Sequence, residues 1–304
     1  MAQSNANQLH TPKTILITGG RGFIGRALTH QLKSRGHRVR HLSRSRRPDT
    51  FYWNIEKSEI DPEALRDVQV IIHLAGASVA EGRWTAGRKK LLRSSRIDSA
   101  KLLYRALVES GANLERFISA SGTGYYGVSN EKAFVESDPP ASGFLADLCV
   151  DWEQSVQPFT DFGAQVTVNR IGIVMHPDGG FVAKLKPLVN AGLGSILGTG
   201  KQILPWVHLD DLVDVFVQEV EGVLHQPVYN IVAPATTTHA EVMHALAHAV
   251  NRKIWLPKVP GFIIRLALGK LATELLESQD TQPAQLISEG FVFRHPTIDN
   301  TFLF

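Results

Sequence analysis

The sequence predicts an α/β chain, a doubly wound and mostly parallel sheet with a smaller C-terminal, substrate-facing lobe. Three observations carry this. Short apolar runs alternate with helical stretches through the first half, the pattern of strands joined by crossover helices. Residues 68–75 (VQVIIHLA) are almost continuously apolar, as a strand covered on both faces must be. The first strand also runs directly into Gly19-Gly20-Arg21-Gly22-Phe23-Ile24-Gly25, glycines spaced by three where a strand gives way to a helix.

Taken in order, 14–18 (TILIT) is β-rich and forms the first strand. Residues 24–34 place Ile24, Leu28 and Leu32 on one helical face, and Gly36 ends that helix. A second strand covers 38–42 and a short third covers 50–53, and Asp61 and Pro62 open a brief helix over 61–66. After the strand at 68–75 come a helix over 89–110, a strand over 117–120, a helix over 144–159 and a strand over 166–173. Beyond Pro177 the rhythm changes. A helix over 181–191 precedes a short glycine-bounded strand at 195–199, then an apolar run at 203–207 and a helix over 212–220 that returns to the sheet. Residues 228–231 form another strand, and 238–250 a helix capped by Thr237 or Thr238. One amphipathic helix is expected over 261–276, ahead of a less regular tail.

Composition excludes several function classes. The 304 residues carry 32 basic against 29 acidic side chains, a net charge of +3, too small a surplus for a dedicated nucleic-acid binder. Cys149 is the only cysteine, which excludes an intrachain disulfide and cysteine-rich metal sites and makes a reducing, cytoplasmic compartment the expectation. The polar start at 1–11 lacks an apolar targeting core. The stretch 261–276 carries Arg265, Lys270 and Glu274, so a packed helix is expected rather than a membrane partner. With no His-Glu-x-x-His or Gly-x-Ser-x-Gly, neither a metal nor a serine-hydrolase site is expected.

The glycine turn is of the Rossmann type. Its first glycine allows the tight turn, its second lets a pyrophosphate approach the backbone, and its third lets the helix close on the strand. The helix N-terminus then offers unsatisfied N–H groups to the phosphate, and Gly20, Arg21, Gly22, Phe23 and Ile24 are the expected cofactor-binding residues beside Gly19 and Gly25. The second strand ends in Leu42-Ser43-Arg44-Ser45-Arg46-Arg47, with no carboxylate before Asp49 to accept ribose hydroxyls. A guanidinium suits a phosphate in charge and shape, so NADP(H) is the expected cofactor, with Arg44 the best contact and Arg21 beside it. The dinucleotide-binding domain is expected over 12–175, with sheet segments from about 205–235. The smaller lobe then takes 176–204 and 236–304.

These residues resemble the extended short-chain dehydrogenase/reductases of the NAD-dependent epimerase/dehydratase type. The likeness is greatest to their "epimerase family" subgroup, which includes the 39U short-chain dehydrogenase/reductases and bacterial proteins called sugar-nucleotide epimerase or cell-division inhibitor. The blocks that carry it are TILITGGRGFIGRAL (14–28), HLAGASVAEGRW (73–84), SASGTGYYG (119–127), FLADLCVDWE (144–153), NRIGIVMHPDGG (169–180), PWVHLDDLVDVF (205–216), YNIVAP (229–234) and EGFVFRHP (289–296). The resemblance implies that Leu74, Ala75 and Gly76 line the cofactor and that Arg170 borders the nicotinamide pocket. It also implies that Asp210 or Asp211 caps the following helix.

Working enzymes of that family use Tyr-x-x-x-Lys: the tyrosine exchanges a proton with the substrate hydroxyl, and the lysine lowers its pKa and holds the nicotinamide ribose. This sequence has no Tyr-x-x-x-Lys. Anchored on Trp152-Glu153, Leu145 stands at the tyrosine position and Cys149 at the lysine position, a largely apolar pair facing the substrate. Ser121, Thr123, Tyr125 and Tyr126 follow the 117–120 strand and are the candidate substitutes, although a free phenol titrates near 10. Arg83 and Trp84, just after the 75–76 turn, can clamp the substrate cleft or simply pack. The expectation is an NADP(H)-binding oxidoreductase or epimerase-like protein, monomeric or homodimeric, with a small-molecule substrate. The other reading is an NADPH-binding sensor or interaction module without turnover, which the missing Tyr and Lys favour.

Overall fold

β-Branched and apolar runs become the middle of an eight-stranded sheet. The computed structural model describes residues 11–177, 179–269, 271–299 and 302. Residues 1–10, read above as free of a targeting core, and Lys270, one of the charges on the expected 261–276 helix, lie outside the described residues. The strands are β1 (Thr14–Thr18), β2 (Arg38–Ser43), β3 (Phe51–Asn54), β4 (Glu59–Ile60), β5 (Val70–His73) and β6 (Arg116–Gly122). They continue as β7 (Ser129–Phe134), β8 (Gln165–Ile171), β9 (Ile173–His176), β10 (Trp206–His208), β11 (Val228–Ile231) and β12 (Gln279–Thr281). The main sheet has the order β11-β8-β6-β5-β1-β2-β3-β4 and is parallel except for the β3–β4 edge. Winding reverses at β1, with β2 on one side and β5 on the other, so a crevice opens at the carboxyl ends of β1 and β5.

Helices α1 (Phe23–Ser34), α2 (Ala86–Ser110), α3 (Phe144–Val156), α4 (Gly180–Asn190) and α5 (Leu209–Glu221) are joined by α6 (His239–Ala249), α7 (Gly261–Leu268), α8 (Leu271–Leu276) and α9 (Ala284–Ser288). Alternation along the strands decides which helices cover which face. Ile15 and Ile17 with Val70 and Ile72 pack on Leu28 and Leu32 of α1 and Phe216 and Val220 of α5. Leu16 and Ile71 turn the other way, onto Leu103 and Leu107 of α2 and Val156 of α3. A third cluster, with Val182, Trp206, Met243 and Leu246, lies apart from both and forms the core of the smaller lobe.

Several expected elements differ, each for a local reason. No strand forms at 195–199: Gly198 and Gly200 have φ of +57° and +78°, and only Leu197 makes an isolated bridge, to Val259. The helix expected over 144–159 stops at Val156 and tightens into a 3₁₀ turn, Gln157–Phe162, where a proline enters the first turn. The helix expected over 261–276 breaks at Gly269, whose φ is +61°. Helix α2 starts earlier than expected because Thr85 caps it, accepting a hydrogen bond from Arg88 N at 3.2 Å. Of the two caps offered for α6, Thr238 is the one used, in a capping box with Glu241. The strand pair β7 and β12 was not expected at all. The cap of α5 is a further correction. His208 Nδ1 accepts from Asp210 N at 3.2 Å, while the Asp211 carboxylate accepts from Arg294 N and His295 N. Among the described residues no helix is long and apolar enough to cross a membrane.

Beneath the sheet, α5 buries Glu219, which accepts one hydrogen bond, from Asn169 Nδ2 at 2.9 Å. Burial pushes its carboxyl up to about 8, against the opposing pull of Asn169 and Arg116. A carboxylate raised in the folded state keeps its proton there while the unfolded chain ionises. Stability is therefore highest below the unfolded pKa and falls as pH rises towards about 8. Glu219→Gln, which cannot ionise, should melt several degrees above the parent at pH 8, with the gap closing near pH 5. Melting curves across that range check it, and a gap independent of pH would refute it.

Candidate functional site

The crevice at the carboxyl edge is built from two turns locked to each other. Leu74 N donates to Thr18 O at 3.2 Å and Ala75 N to Thr18 Oγ1 at 3.0 Å, which ties the turn after β5 to the end of β1. Thr18 Oγ1 in turn lies 2.8 Å from His73 Nδ1, and His73 Nε2 lies 3.1 Å from Ser99 Oγ on α2. Burial lowers His73 to about 4, so this link is a neutral imidazole at ordinary pH.

On the other side, Gly19 adopts φ +70°, and Gly22 N closes the turn on Gly19 O at 2.9 Å. A Cβ on Gly25 would lie 2.5 Å from Gly19 O, so only glycine lets α1 start this close to the strand. Gly22 gives α1 no side-chain cap and the first turn holds no acidic residue, which leaves its N–H groups and positive dipole end for an anion. Gly20 lies against the His41 ring, while Phe23 packs beside Gly179 and Ile24 joins the core. Arg21 and Arg44 are exposed, and among the described residues neither makes an ion pair; Arg46 lies back over Tyr52, 4.5 Å from the ring centroid. These features fit an anionic dinucleotide carrying an extra phosphate at the end of β2.

The opposite wall is the loop that leaves β6, and its hydroxyls divide into two kinds. Ser121 Oγ donates to Glu153 Oε1 at 2.8 Å. The Tyr126 hydroxyl is buried, donating to Asn230 Oδ1 at 2.7 Å and accepting from Arg170 Nη1 at 2.8 Å, and burial pushes it up to about 12. Both are committed within the protein. The hydroxyls of Thr123 and Tyr125 have no hydrogen-bond partner among the described residues, and the Arg170 guanidinium lies 3.4 Å from the centre of the Tyr125 ring.

Arg170, assigned from sequence to the cofactor, has all three guanidinium nitrogens engaged inside the protein. Nε and Nη2 pair with the two oxygens of Glu153 at 2.9 and 2.8 Å, and Nη1 also reaches Glu136 O at 3.2 Å. Glu153 was read from sequence only as an anchor. Its spacing from Leu145 and Cys149, four residues at a time along one helix face, was the available signal that it shares their wall.

That face of α3 does turn to the loop. A Cβ on Gly124 would meet the Leu145 side chain at 2.5 Å, and Cys149 Sγ lies 3.6 Å from Gly122 O. Burial, then the nearby Glu153, pushes the thiol up to about 12, so Cys149 supplies no charge. Trp84 packs edge-on against Phe144 at the start of α3, 5.3 Å between centroids, and donates to Val79 O. Arg83 reaches over to Leu266 O on α7 at 2.5 Å, joining the loop after β5 to the smaller lobe. Away from this wall, donor atoms of His208, Asp210 and His295 lie within 4.8 Å of one another, where His208 caps α5.

Residues 15–232 match the family model described as the NAD dependent epimerase/dehydratase family. The chain belongs to that family. Residues 259–302 match a separate domain family of unknown function. Among relatives of this epimerase/dehydratase chain, an epimerase family protein of Mycobacterium bovis is 39% identical over 292 residues, 93% of this chain and 94% of the relative. Epimerase family protein SDR39U1 of Mus musculus is 34% identical over 288 residues, 93% of this chain and 96% of the relative. A crystal structure of human SDR39U1 (isoform 2) with NADPH superposes with a TM-score of 0.87 at 28% identity, covering 95% of this chain and 97% of that one. The chain is thus an SDR39U1-like member of the extended short-chain dehydrogenase/reductases, with the NAD(P)-binding fold of that family's oxidoreductases and epimerases.

Proposed function

We propose that the chain binds NADP(H) and acts as an oxidoreductase or epimerase on a small substrate bearing a hydroxyl or carbonyl group. The observation that carries this is that the glycine cradle after β1 and the loop after β6, with the Thr123 and Tyr125 hydroxyls uncommitted among the described residues, leave the same carboxyl edge of the sheet on either side of β5. The NADPH in the human SDR39U1 structure supports the choice of cofactor. Gly19, Gly20, Gly22 and Gly25 cradle the pyrophosphate, Arg44 and Arg21 hold the 2′-phosphate, and Leu74, Ala75 and Gly76 form the facing edge. The cofactor, when bound, supplies the hydride chemistry. Thr123 and Tyr125 orient the substrate oxygen and Tyr125 moves its proton, while Leu145 and neutral Cys149 keep that wall apolar. Trp84 and the Arg83 link to α7 close the substrate side, with the smaller lobe (176–204 and 236–304) as its outer wall.

Absorbance of NADPH followed against a panel of carbonyl substrates tests turnover. Epimerisation returns the hydride and leaves the absorbance unchanged, so hydroxyl substrates incubated with NADP⁺ are also analysed for isomer formation. If NADPH binds and neither consumption nor isomerisation is seen, the sensor reading that Leu145 and Cys149 favour takes its place. Cofactor choice has its own test. Calorimetry should give tighter binding for NADPH than for NADH, and Arg44→Ala should remove about tenfold of that preference. A charge-assisted phosphate contact contributes about 1.5–3 kcal/mol before solvent screens it. Equal affinities, or a preference untouched by Arg44→Ala, would sink the phosphate assignment.

A further inference from the structure

Helix α2 carries an arginine where its neighbours are apolar. Arg96 falls on the stripe that includes Leu92, Ser99 and Leu103, and it is only 7% exposed. Nη1 donates to Leu92 O and Nη2 to Ala77 O, both at 3.0 Å, and the guanidinium stacks over Trp152 at 4.7 Å. Nε is buried with no partner, and among the described residues Arg96 makes no ion pair. A cation this deep without a carboxylate is expensive, and removing its charge would be the easy solution for a core position.

Its surroundings say what the charge faces. A Cβ on Gly76 would lie 3.0 Å from Arg96 Cζ, so the guanidinium sits directly under the turn that follows β5. Cys149 stands beside it and stays neutral. A dinucleotide lying across the β1–β5 crevice, with its phosphate-bearing ribose at Arg44 beyond β2, must carry its other nucleotide across the β5–β6 side. There it meets Gly76, Gly122 and the wall of Leu145 and Cys149. Burial lowers Arg96 to about 10, which still leaves it charged at neutral pH.

We propose that Arg96 is a positioning residue at the nicotinamide end, supplying from α2 a fixed positive charge beneath the turn that follows β5, and that this charge biases the site towards the reduced cofactor. The inference rests on the NADP(H) reading above. The physical link is simple: oxidised nicotinamide carries a positive charge and reduced nicotinamide does not. A buried cation in a region of low effective dielectric therefore opposes NADP⁺ and leaves NADPH undisturbed. Through Nη2 on Ala77 O, the same side chain holds the turn against which that half of the cofactor rests.

Calorimetric titration with NADPH, NADP⁺ and adenosine 2′,5′-bisphosphate tests this without a substrate. The parent should favour NADPH over NADP⁺ by about tenfold or more. Arg96→Gln should narrow that ratio about tenfold and leave adenosine 2′,5′-bisphosphate affinity unchanged, whereas Arg96→Lys should keep most of the ratio. Because a buried arginine can be needed for folding, Arg96→Met is the second variant. It removes the charge while keeping an apolar side chain against Trp152, and it should narrow the same ratio. A ratio unmoved in Arg96→Gln and Arg96→Met would overturn the inference, as would a loss shared equally with adenosine 2′,5′-bisphosphate. If the parent binds adenosine 2′,5′-bisphosphate but shows no preference for NADPH over NADP⁺, Arg96 is wrong and the cofactor reading stands. If the parent binds none of the three, the cofactor reading itself falls and takes this one with it.

Discussion

Glu153→Ala should destabilise the fold by about 3–5 kcal/mol, the range for removing one partner of a buried ion pair. The pair is bidentate, and the Arg170 side chain is 5% exposed against 12% for Glu153, so solvent cannot replace the lost carboxylate. Three further contacts depend on the same two groups. Ser121 loses its acceptor, the Tyr126 hydroxyl loses a correctly held donor, and the guanidinium under the Tyr125 ring is freed to shift. Adding Arg170→Met to the alanine variant should recover part of the stability, because an apolar side chain removes the orphaned charge that causes most of the loss. Denaturant melts of the parent, both single variants and the double variant check this. A loss under 1 kcal/mol in Glu153→Ala, or strict additivity in the double variant, would mean that water satisfies Arg170 and that the pair does not organise the loop.

What could be read from the sequence follows from how local each cause is. The glycine turn was legible because its requirement is confined to seven residues. A positive φ at Gly19 and the close approach at Gly25 each demand glycine whatever the rest of the chain does. Central strands such as Val70–His73 were legible because burial on both faces leaves a continuous apolar run. The β7–β12 pair was not, since Gln279–Thr281 is a three-residue polar strand whose partner lies some 150 residues earlier, and neither apolar run nor alternation marks it. The broken helix at Gly269 carried a signal that helical periodicity across 261–276 masked. The same division runs through the site. Glycines and hydroxyls announced themselves by type, whereas Glu153 and Arg96 act through tertiary partners. For both, the only sign in the sequence was a charge at a position where helical spacing calls for an apolar residue.

Tyr125→Phe should lower turnover by about 10²- to 10⁴-fold, the usual worth of a positioned general acid or base, with NADPH affinity nearly unchanged. Three arrangements in the wall point to this residue. Among the described residues its hydroxyl is uncommitted, whereas that of Tyr126 is held by Asn230 and Arg170. The Arg170 guanidinium packs 3.4 Å from the centre of its ring, and Glu153 holds that side chain in place, so the Tyr125 ring is fixed at the wall. On the α3 face opposite, Leu145 and a neutral thiol cannot exchange a proton at ordinary pH, and Glu153 is committed to Ser121 and Arg170. An interaction realised mainly in the transition state is lost from the rate and not from binding, so kcat should fall while the cofactor titration overlays that of the parent. Tyr126→Phe should behave in the opposite way. It strips a partner from Arg170 Nη1 and from Asn230 Oδ1 in the core, which costs about 1–3 kcal/mol of stability, and it should touch the rate far less. Thr123→Val separates orientation from proton transfer, since it removes a hydrogen bond to the substrate oxygen and no titrating group. Its rate should therefore fall with the solvent isotope effect of the parent, whereas Tyr125→Phe should change that isotope effect as well. Full activity in Tyr125→Phe, with the parent's isotope effect, would take the tyrosine out of the mechanism. The proton would then have to come from water held between Thr123 and the substrate.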